Sequence, residues 1–192
     1  MRYKLTIEYD GGPYRGWQRL PDAPSVQAAL EDAVEKLTGA RSDVIGSGRT
    51  DAGVHAYAQV AHVDIEKALE PFRILEALNA HLRPHPISVL GVEEVSPEFH
   101  ARFDAVQRVY QYQILNRRPP LALDRGFVWR ISQRLDTDAM QIAAQRLLGN
   151  HDFTTFRDAH CQAKSPIKTL DIAGVEGMDD QIIFHFEARS LK

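Results

Sequence analysis

Polar and apolar residues alternate over residues 3–9, where Tyr, Leu, Ile and Tyr are separated by Lys, Thr and Glu. A period of two predicts a β-strand with one buried face. From Val26 to Leu37 the apolar residues instead recur at helical spacing, and Ser25 before them and Gly39 after them are typical helix-capping residues. The chain therefore begins with a strand followed by a capped amphipathic helix.

The same patterns extend to residue 95 and predict the order β-α-β-β-α-β. The later elements are an extended piece at 43–45, a strand at 59–65, a helix at 71–82 and a strand at 87–95. Pro84 ends the second helix, whose predicted buried face consists of Phe72, Leu75, Leu78 and Leu82. Short connections between successive strands favour antiparallel pairing.

Residues 105–189 resemble a second pass through similar elements. The predicted elements are strands at 105–116 and 127–131, a helix at 137–148 that Gly149 stops, and strands at 167–175 and 181–189 around a turn at 177–180. Phe153 and Phe156 are predicted to lie in the core of this part. The predicted fold class is α+β with two related halves, residues 1–103 and 104–192. Each half has a mainly antiparallel sheet with helices on one face, and a cleft between the halves is the expected site.

Composition adds a constraint on partners. The formal net charge is −3 and no apolar run approaches the roughly 20 residues of a membrane span, so we expect a soluble, cytoplasmic protein. The single cysteine, Cys161, excludes an internal disulfide and is expected to be an ordinary small residue. Residues 101–134 contain seven arginines against two acidic residues, whereas residues 26–98 contain six basic and twelve acidic residues. The arginine-rich segment indicates either a solvated charged surface or a surface that binds phosphates.

The stretch GSGRTDAGVHA, residues 46–56, places Asp51 among glycines on the connection between two predicted strands. One interpretation is that Asp51 forms a local hydrogen bond that stabilises a turn. The other is that the glycines present Asp51 as a nucleophile or base, with Arg49 keeping the carboxylate ionised or binding a phosphate.

Metal and nucleotide sites are not predicted. His81 and His85 have helical spacing, but Pro84 interrupts the helix between them and no carboxylate follows at the same spacing. The glycine-rich stretch also lacks the Gly-Lys-Ser/Thr ending of a phosphate-binding loop.

Alternation in the strand at 105–116 places Arg108, Tyr110, Tyr112 and Ile114 on one face. Aromatic and arginine side chains on one face suit the stacking of an unpaired RNA base. The alternative is that the tyrosines are ordinary half-buried strand residues.

Six segments together resemble the tRNA pseudouridine synthase A family. They are YDGGPYRGWQ, SVQAALEDAV, GSGRTDAGVHA, NAHLRPHPISV, FHARFDA followed by RVYQYQI, and LLGNHDFTTFR. The resemblance runs from about Arg2 to Ser190. It implies an isomerase of the pseudouridine synthase fold that acts as a homodimer on tRNA and converts uridines 38, 39 and 40 of the anticodon stem-loop to pseudouridine. It also implies that neither a metal nor a cofactor is needed.

The resemblance also assigns roles to individual residues. Asp51 matches the catalytic aspartate, Arg49 the arginine that helps to extrude the target nucleotide, and Tyr110 the tyrosine that stacks on the uracil. Four arginines are candidates for further RNA contacts: Arg102, Arg108, Arg117 and Arg118. Base extrusion is expected because the glycosidic carbon is not accessible in a stacked helix.

One difference from the family lies at the end of the sequence. Family members continue past the last strand with a Phe-Leu-His-His-Gln-Val-Arg type segment that supplies a basic partner for the catalytic aspartate, whereas this sequence reads ARSLK. A shortened second half is therefore expected. Two alternatives to the synthase remain open: a catalytically silent tRNA-binding protein of the same family, and an enzyme that uses Asp51 on a free nucleoside or nucleotide.

Overall fold

The structure is a computed structural model and describes residues 1–156 and 165–189. The chain divides into two compact units, Met1–Ala105 and Val106–Lys192. Cys161 and the end of the sequence from Ser190 lie outside the described residues.

The first unit is an antiparallel sheet with two helices. Its elements are β1 (Arg2–Tyr9), α1 (Val26–Thr38), β2 (Val44–Gly46), β3 (Ala56–Asp64), α2 (Pro71–Leu82) and β4 (Ile87–Val95). The strand order is β2-β3-β1-β4, so β1 pairs with both β3 and β4 at the centre of the sheet. The predicted order of strands and helices is confirmed for this unit.

The core of the first unit lies between one face of β1 and the two helices. The alternating residues predicted from the sequence, Tyr3, Leu5, Ile7 and Tyr9, are all buried in one hydrophobic cluster with residues from both helices. Each fully buried aliphatic side chain contributes about 1.5–3 kcal/mol relative to exposure. The burial of α2 corrects the prediction: Phe72 is 71% exposed, and Ile74, Leu78 and Leu82 are the buried residues. Ile74, Leu78 and Leu82 recur every four residues and so share one helix face, whereas Phe72 lies outside this spacing.

The ends of α1 follow the capping prediction. The Ser25 side chain accepts a hydrogen bond from the Ala28 N–H, and Gly39 adopts the left-handed conformation with φ 77°. The Gly39 N–H donates to the Glu35 carbonyl oxygen and so satisfies one of the last helical acceptors.

The second unit is a five-stranded sheet with one main helix. Its elements are β5 (Gln107–Asn116), β6 (Trp129–Ile131), α3 (Thr137–Gln145), β7 (Gly149–Asp152), a single 3-10 turn (Thr154–Phe156), β8 (Ile167–Met178) and β9 (Gln181–Arg189). The strand order is β6-β5-β9-β8-β7, and only the β5–β6 pair is parallel among the described strands. Helix α3 covers part of one sheet face, where Ile114, Ala173, Val175 and Ile182 form a small core with Ala144.

Three predictions for this unit were wrong. Helix α3 ends at Gln145 instead of Leu148, and the following residues from Gly149 form β7, which was not predicted. Phe156 is 74% exposed and does not belong to the core. Strand β8 continues to Met178, beyond its predicted end at Val175, because it pairs with β9 up to the connecting turn.

Within the described residues, no helix combines the length and the hydrophobicity that crossing a membrane requires.

Candidate active site

Asp51 lies on the loop that connects β2 to β3, as predicted, and its side chain is exposed. The loop turns immediately after Asp51: the Val54 N–H donates to the Asp51 carbonyl oxygen at 3.2 Å, and Gly53 has a positive φ of 79°. The bond that closes this turn is therefore a main-chain bond, and closure does not require the carboxylate.

The residue before Asp51 is held from two directions. The Trp17 N–H donates to the Thr50 carbonyl oxygen at 2.9 Å, and the Tyr9 hydroxyl lies 2.8 Å from the Thr50 hydroxyl oxygen. Tyr9 and Trp17 are each only 2% exposed, so both contacts start from the packed core. The main chain that carries Asp51 is consequently fixed to the end of β1 and the loop after it.

Two glycines of the loop after β1 allow this close approach. A Cβ atom at Gly16, where φ is 98°, would lie 2.5 Å from the Thr50 carbonyl oxygen. A Cβ atom at Gly11 would lie 2.0 Å from the Val54 carbonyl oxygen. Real Cβ atoms do not approach main-chain atoms so closely, and only glycine fits at both positions. Glycines that precede α1, outside the stretch around Asp51 itself, are therefore also needed to present Asp51.

A buried carboxylate connects the loop after β1 to α1 and β2. Glu31 accepts hydrogen bonds from Arg19 at 2.5 Å, from the Gln27 side chain at 2.9 Å and from the Val44 N–H at 3.2 Å. The loop after β1, helix α1 and strand β2 thus converge on one side chain, which is 2% exposed. Burial of a carboxylate is tolerated here because a guanidinium and two N–H donors satisfy it.

Two of the predicted site residues lie in the first unit with Asp51. Arg49 is exposed in the same loop, two residues before the carboxylate, and Arg102 is exposed in the segment after β4. This segment is attached to the sheet by Arg2, which donates to the Phe99 carbonyl oxygen at 2.9 Å and forms a bidentate pair with Asp64.

The segment that carries Arg102 has a second anchor in a buried histidine. His62 is 2% exposed, and its Nδ1 accepts the Ala101 N–H at 3.2 Å. Burial, with smaller effects of the nearby Arg2 and His100 charges, lowers the pKa of His62 from its usual value of 6.5. The neutral ring is the form that leaves Nδ1 available as an acceptor.

The other predicted residues lie in the second unit. Tyr110 and Tyr112 are 52% and 51% exposed on β5, on the face that also carries half-buried Arg108. Their partners across the sheet on β9 are Phe186 and Phe184. These four rings form an aromatic surface on the same sheet face as the small α3 core. Half exposure is compatible with both interpretations, a stacking surface and ordinary half-buried strand residues.

Arginines in β6 and in the connection between β5 and β6 divide into two groups. Arg125 and Arg130 donate to carbonyl oxygens of this connection, at 3.2 Å to Leu121 and 3.0 Å to Pro119. Their guanidinium groups therefore help to hold the connection. Arg118 is exposed, and Arg117 is half-buried with an Nε that has no hydrogen-bond partner among the described residues.

Metal-binding chemistry has no candidate in residues 1–156 and 165–189, which contain no group of three or more His, Cys, Asp or Glu side chains arranged to hold an ion.

Comparison with known proteins identifies the class of protein to which this architecture and the Asp51 loop belong. The family model described as tRNA pseudouridine synthase matches residues 5–104 and 143–191. This chain belongs to the tRNA pseudouridine synthase family, which is a family of isomerases.

Individual relatives match almost the whole chain. Proteins named tRNA pseudouridine synthase A from Bradyrhizobium diazoefficiens and Maricaulis maris are 61% and 55% identical to it over 189 residues. The matched regions cover 98% of this chain and 77% and 76% of those proteins. A protein of the same name from Parvibaculum lavamentivorans is 54% identical over the same length.

Sequence reasoning identified the Asp51 loop but missed the residues that hold it. Tyr9, Gly16 and Trp17 were treated only as the end of a strand and a turn. The available signal was the density of glycine and aromatic residues in YDGGPYRGW, because glycines beside large rings often mark a close approach between main-chain segments.

Proposed function

We propose that this protein isomerises uridine to pseudouridine at positions 38, 39 and 40 in the anticodon stem-loop of tRNA, with Asp51 as the catalytic residue. The observation that carries the proposal is the exposed Asp51 carboxylate beside a Thr50 that two hydrogen bonds hold. Membership of the family supplies the reaction class, and the relatives named above carry tRNA in their names.

The reaction needs one well-positioned carboxylate and no net exchange of atoms. The N1–C1′ bond of the uridine breaks, a C5–C1′ bond forms, the C5 proton leaves and N1 gains a proton. Asp51 acts either as a nucleophile at C1′ or at the uracil ring, or as a base that removes the C2′ proton. In each case the carboxylate must be ionised and must approach the sugar, which an exposed position on a fixed loop allows.

The target nucleotide has to leave the stacked helix to reach Asp51. Extrusion costs a few kcal/mol, which contacts to the backbone and stacking on an aromatic ring offset. Arg49 is proposed to contact the phosphate of the extruded nucleotide, and Tyr110 is proposed to stack on its uracil and to assist proton transfer at C5. The half-exposed ring of Tyr110 supports the stacking role, since a fully buried ring has no free face.

Further contacts to tRNA are assigned to arginines. Arg102 and Arg118 are exposed, and Arg117 is half-buried. Arg108 lies on the face of β5 that carries Tyr110. Two copies of the chain are proposed to act together on one tRNA, as a homodimer, so that these arginines of both copies contribute.

The test is pseudouridine mapping on an unmodified tRNA transcript with uridines at the three positions. Each pseudouridine is labelled with a carbodiimide and detected as a stop in primer extension. The expected stops correspond to positions 38, 39 and 40 with the native chain, and they disappear with Asp51→Asn. Asp43→Asn is the matched control, because Asp43 is also exposed, lies before β2 and makes no proposed contact with the substrate.

Four outcomes would contradict the proposal. Stops at other positions would refute the site, and stops that persist with Asp51→Asn would refute the role of Asp51. Binding of tRNA without any product would support a catalytically silent binder. Conversion of free uridine monophosphate with no activity on tRNA would support a nucleotide enzyme instead.

A further inference from the structure

Tyr9 combines an apolar environment with a polar contact to the Asp51 loop. It is the last residue of β1 and 2% exposed, and its ring packs 6.1 Å from that of Trp17 between centroids. Packing alone requires only a ring at this position, which phenylalanine would supply. The hydroxyl therefore needs a separate explanation, and its contact with the Thr50 hydroxyl at 2.8 Å offers one.

The Thr50 contacts restrain the main chain immediately before the carboxylate. The Trp17 N–H fixes the Thr50 carbonyl oxygen, and the Tyr9 hydroxyl fixes its side chain, so the peptide that leads into Asp51 has little freedom to rotate. On the other side of Asp51, the Val54 N–H closes the turn at 3.2 Å. The carboxylate thus extends from a peptide that is restrained before and after it.

We propose that Tyr9 is a positioning residue for the pseudouridine synthase reaction and acts through Thr50 to orient Asp51. The inference rests on the catalytic role proposed for Asp51. Misplacement of a reacting group by about 1 Å can cost about 100-fold in rate, so a restraint one residue from the carboxylate has a kinetic effect larger than its effect on stability. Tyr9 itself is buried, so the proposed effect on the reaction is indirect.

The experiment compares Tyr9→Phe with Tyr3→Phe. Both tyrosines lie on the buried face of β1, and both hydroxyls form hydrogen bonds; that of Tyr3 donates to the Leu69 carbonyl oxygen at 2.8 Å, at the other end of the strand. The two variants therefore lose similar groups in similar environments, but only Tyr9 reaches the Asp51 loop. Tyr9→Phe is expected to lower kcat on tRNA about tenfold with KM within about twofold, whereas Tyr3→Phe leaves both near the native values.

Substitutions at Thr50 test whether the hydrogen bond carries the effect. Thr50→Ser keeps a hydroxyl and should retain most of the native kcat, whereas Thr50→Val should reduce it as Tyr9→Phe does. The double variant Tyr9→Phe with Thr50→Val should be no slower than the slower single variant, because the two changes remove the same hydrogen bond. Full additivity of the two losses would overturn the inference.

A second readout does not depend on turnover. Amide hydrogen exchange at Val54 should be at least about fivefold faster in Tyr9→Phe than in the native protein and unchanged in Tyr3→Phe, since this amide reports on the turn that contains Asp51. If the native protein makes no pseudouridine, the proposed function fails, and this exchange measurement still decides whether Tyr9 restrains the Asp51 loop. An active native protein with equal kcat and equal exchange in both variants would overturn the inference alone.

Discussion

Substitution of Gly16 by alanine tests the contact between the loop after β1 and the Asp51 loop. Gly16 has φ 98°, a conformation that costs a residue with a side chain about 1–2 kcal/mol. The new Cβ would lie 2.5 Å from the Thr50 carbonyl oxygen and 3.2 Å from the Asp51 carbonyl carbon, which are main-chain atoms. Relief requires the loops to separate, and the hydrogen bond from the Trp17 N–H to Thr50 is lost, at about 1 kcal/mol more.

Gly39 provides the matched control. It also has a positive φ, 77°, but a Cβ atom there would meet nothing within 4 Å. Gly39→Ala should therefore cost only about 1–2 kcal/mol for its unfavourable backbone conformation, whereas Gly16→Ala should cost about 2–3 kcal/mol in total. Gly16→Ala should also lower kcat at least about tenfold, because it displaces Thr50 and Asp51, and Gly39→Ala should leave kcat unchanged.

The stability assay can report on the first unit alone. The chain contains two tryptophans, Trp17 in the first unit and Trp129 in the second. Urea unfolding followed by fluorescence in a Trp129→Phe background therefore measures the surroundings of Trp17, and kcat is measured in the otherwise native sequence. Equal losses of stability in Gly16→Ala and Gly39→Ala, with equal kcat values, would refute the proposed contact between the two loops.

Three further predictions concern a buried carboxylate, a buried histidine and the aromatic surface. In urea titrations, Glu31→Ala should lower the free energy of unfolding by about 3 kcal/mol, because it leaves buried donors unpaired. Glu35 lies on the exposed side of the same helix, so Glu35→Ala should change the free energy of unfolding by less than about 0.5 kcal/mol. Burial lowers the pKa of His62 from 6.5, so below pH 6.5 the unfolded chain binds a proton that the folded protein excludes. The contribution of His62 to the free energy of unfolding should therefore be complete above pH 6.5 and fall as the pH drops below it. His62→Asn should reduce this pH dependence when unfolding is measured across pH. In single-turnover assays, Tyr110→Phe should retain tRNA binding but react about 100-fold more slowly, whereas Tyr112→Phe should react at the native rate. Equal rates in the two variants would contradict the role of the Tyr110 hydroxyl.

Periodicity predicted the first unit well because its elements obey local rules. The alternation in β1 and the capped apolar face of α1 correspond to the observed core, where each buried residue has one sheet or helix face to occupy. Prediction was wrong where tertiary contacts outweigh local pattern. The four residues of β7 are all exposed and carry no alternating apolar side chains, and they form a strand because β8 offers an edge for pairing.

The candidate site was only partly accessible from the sequence for the same reason. Asp51 was identifiable because its glycine-rich surroundings are local and resemble a family motif. The restraints on Asp51 come from Tyr9 and Trp17, which are far from it in sequence and meet Thr50 only after β1 and β3 have paired. Contacts of this kind depend on the register of a folded sheet, so the local pattern YDGGPYRGW can indicate a close approach but not the segment that approaches.

The most direct test of the central claim is tritium release from tRNA that carries uridine labelled at C5. Formation of the C5–C1′ bond expels that hydrogen, so release reports isomerisation itself and not binding. The native chain is predicted to release tritium from tRNA, and Asp51→Ala is predicted to do so at least about 1,000-fold more slowly while it still binds tRNA. Release by Asp51→Ala at a rate within about tenfold of the native rate would contradict the assignment of Asp51 as the catalytic residue.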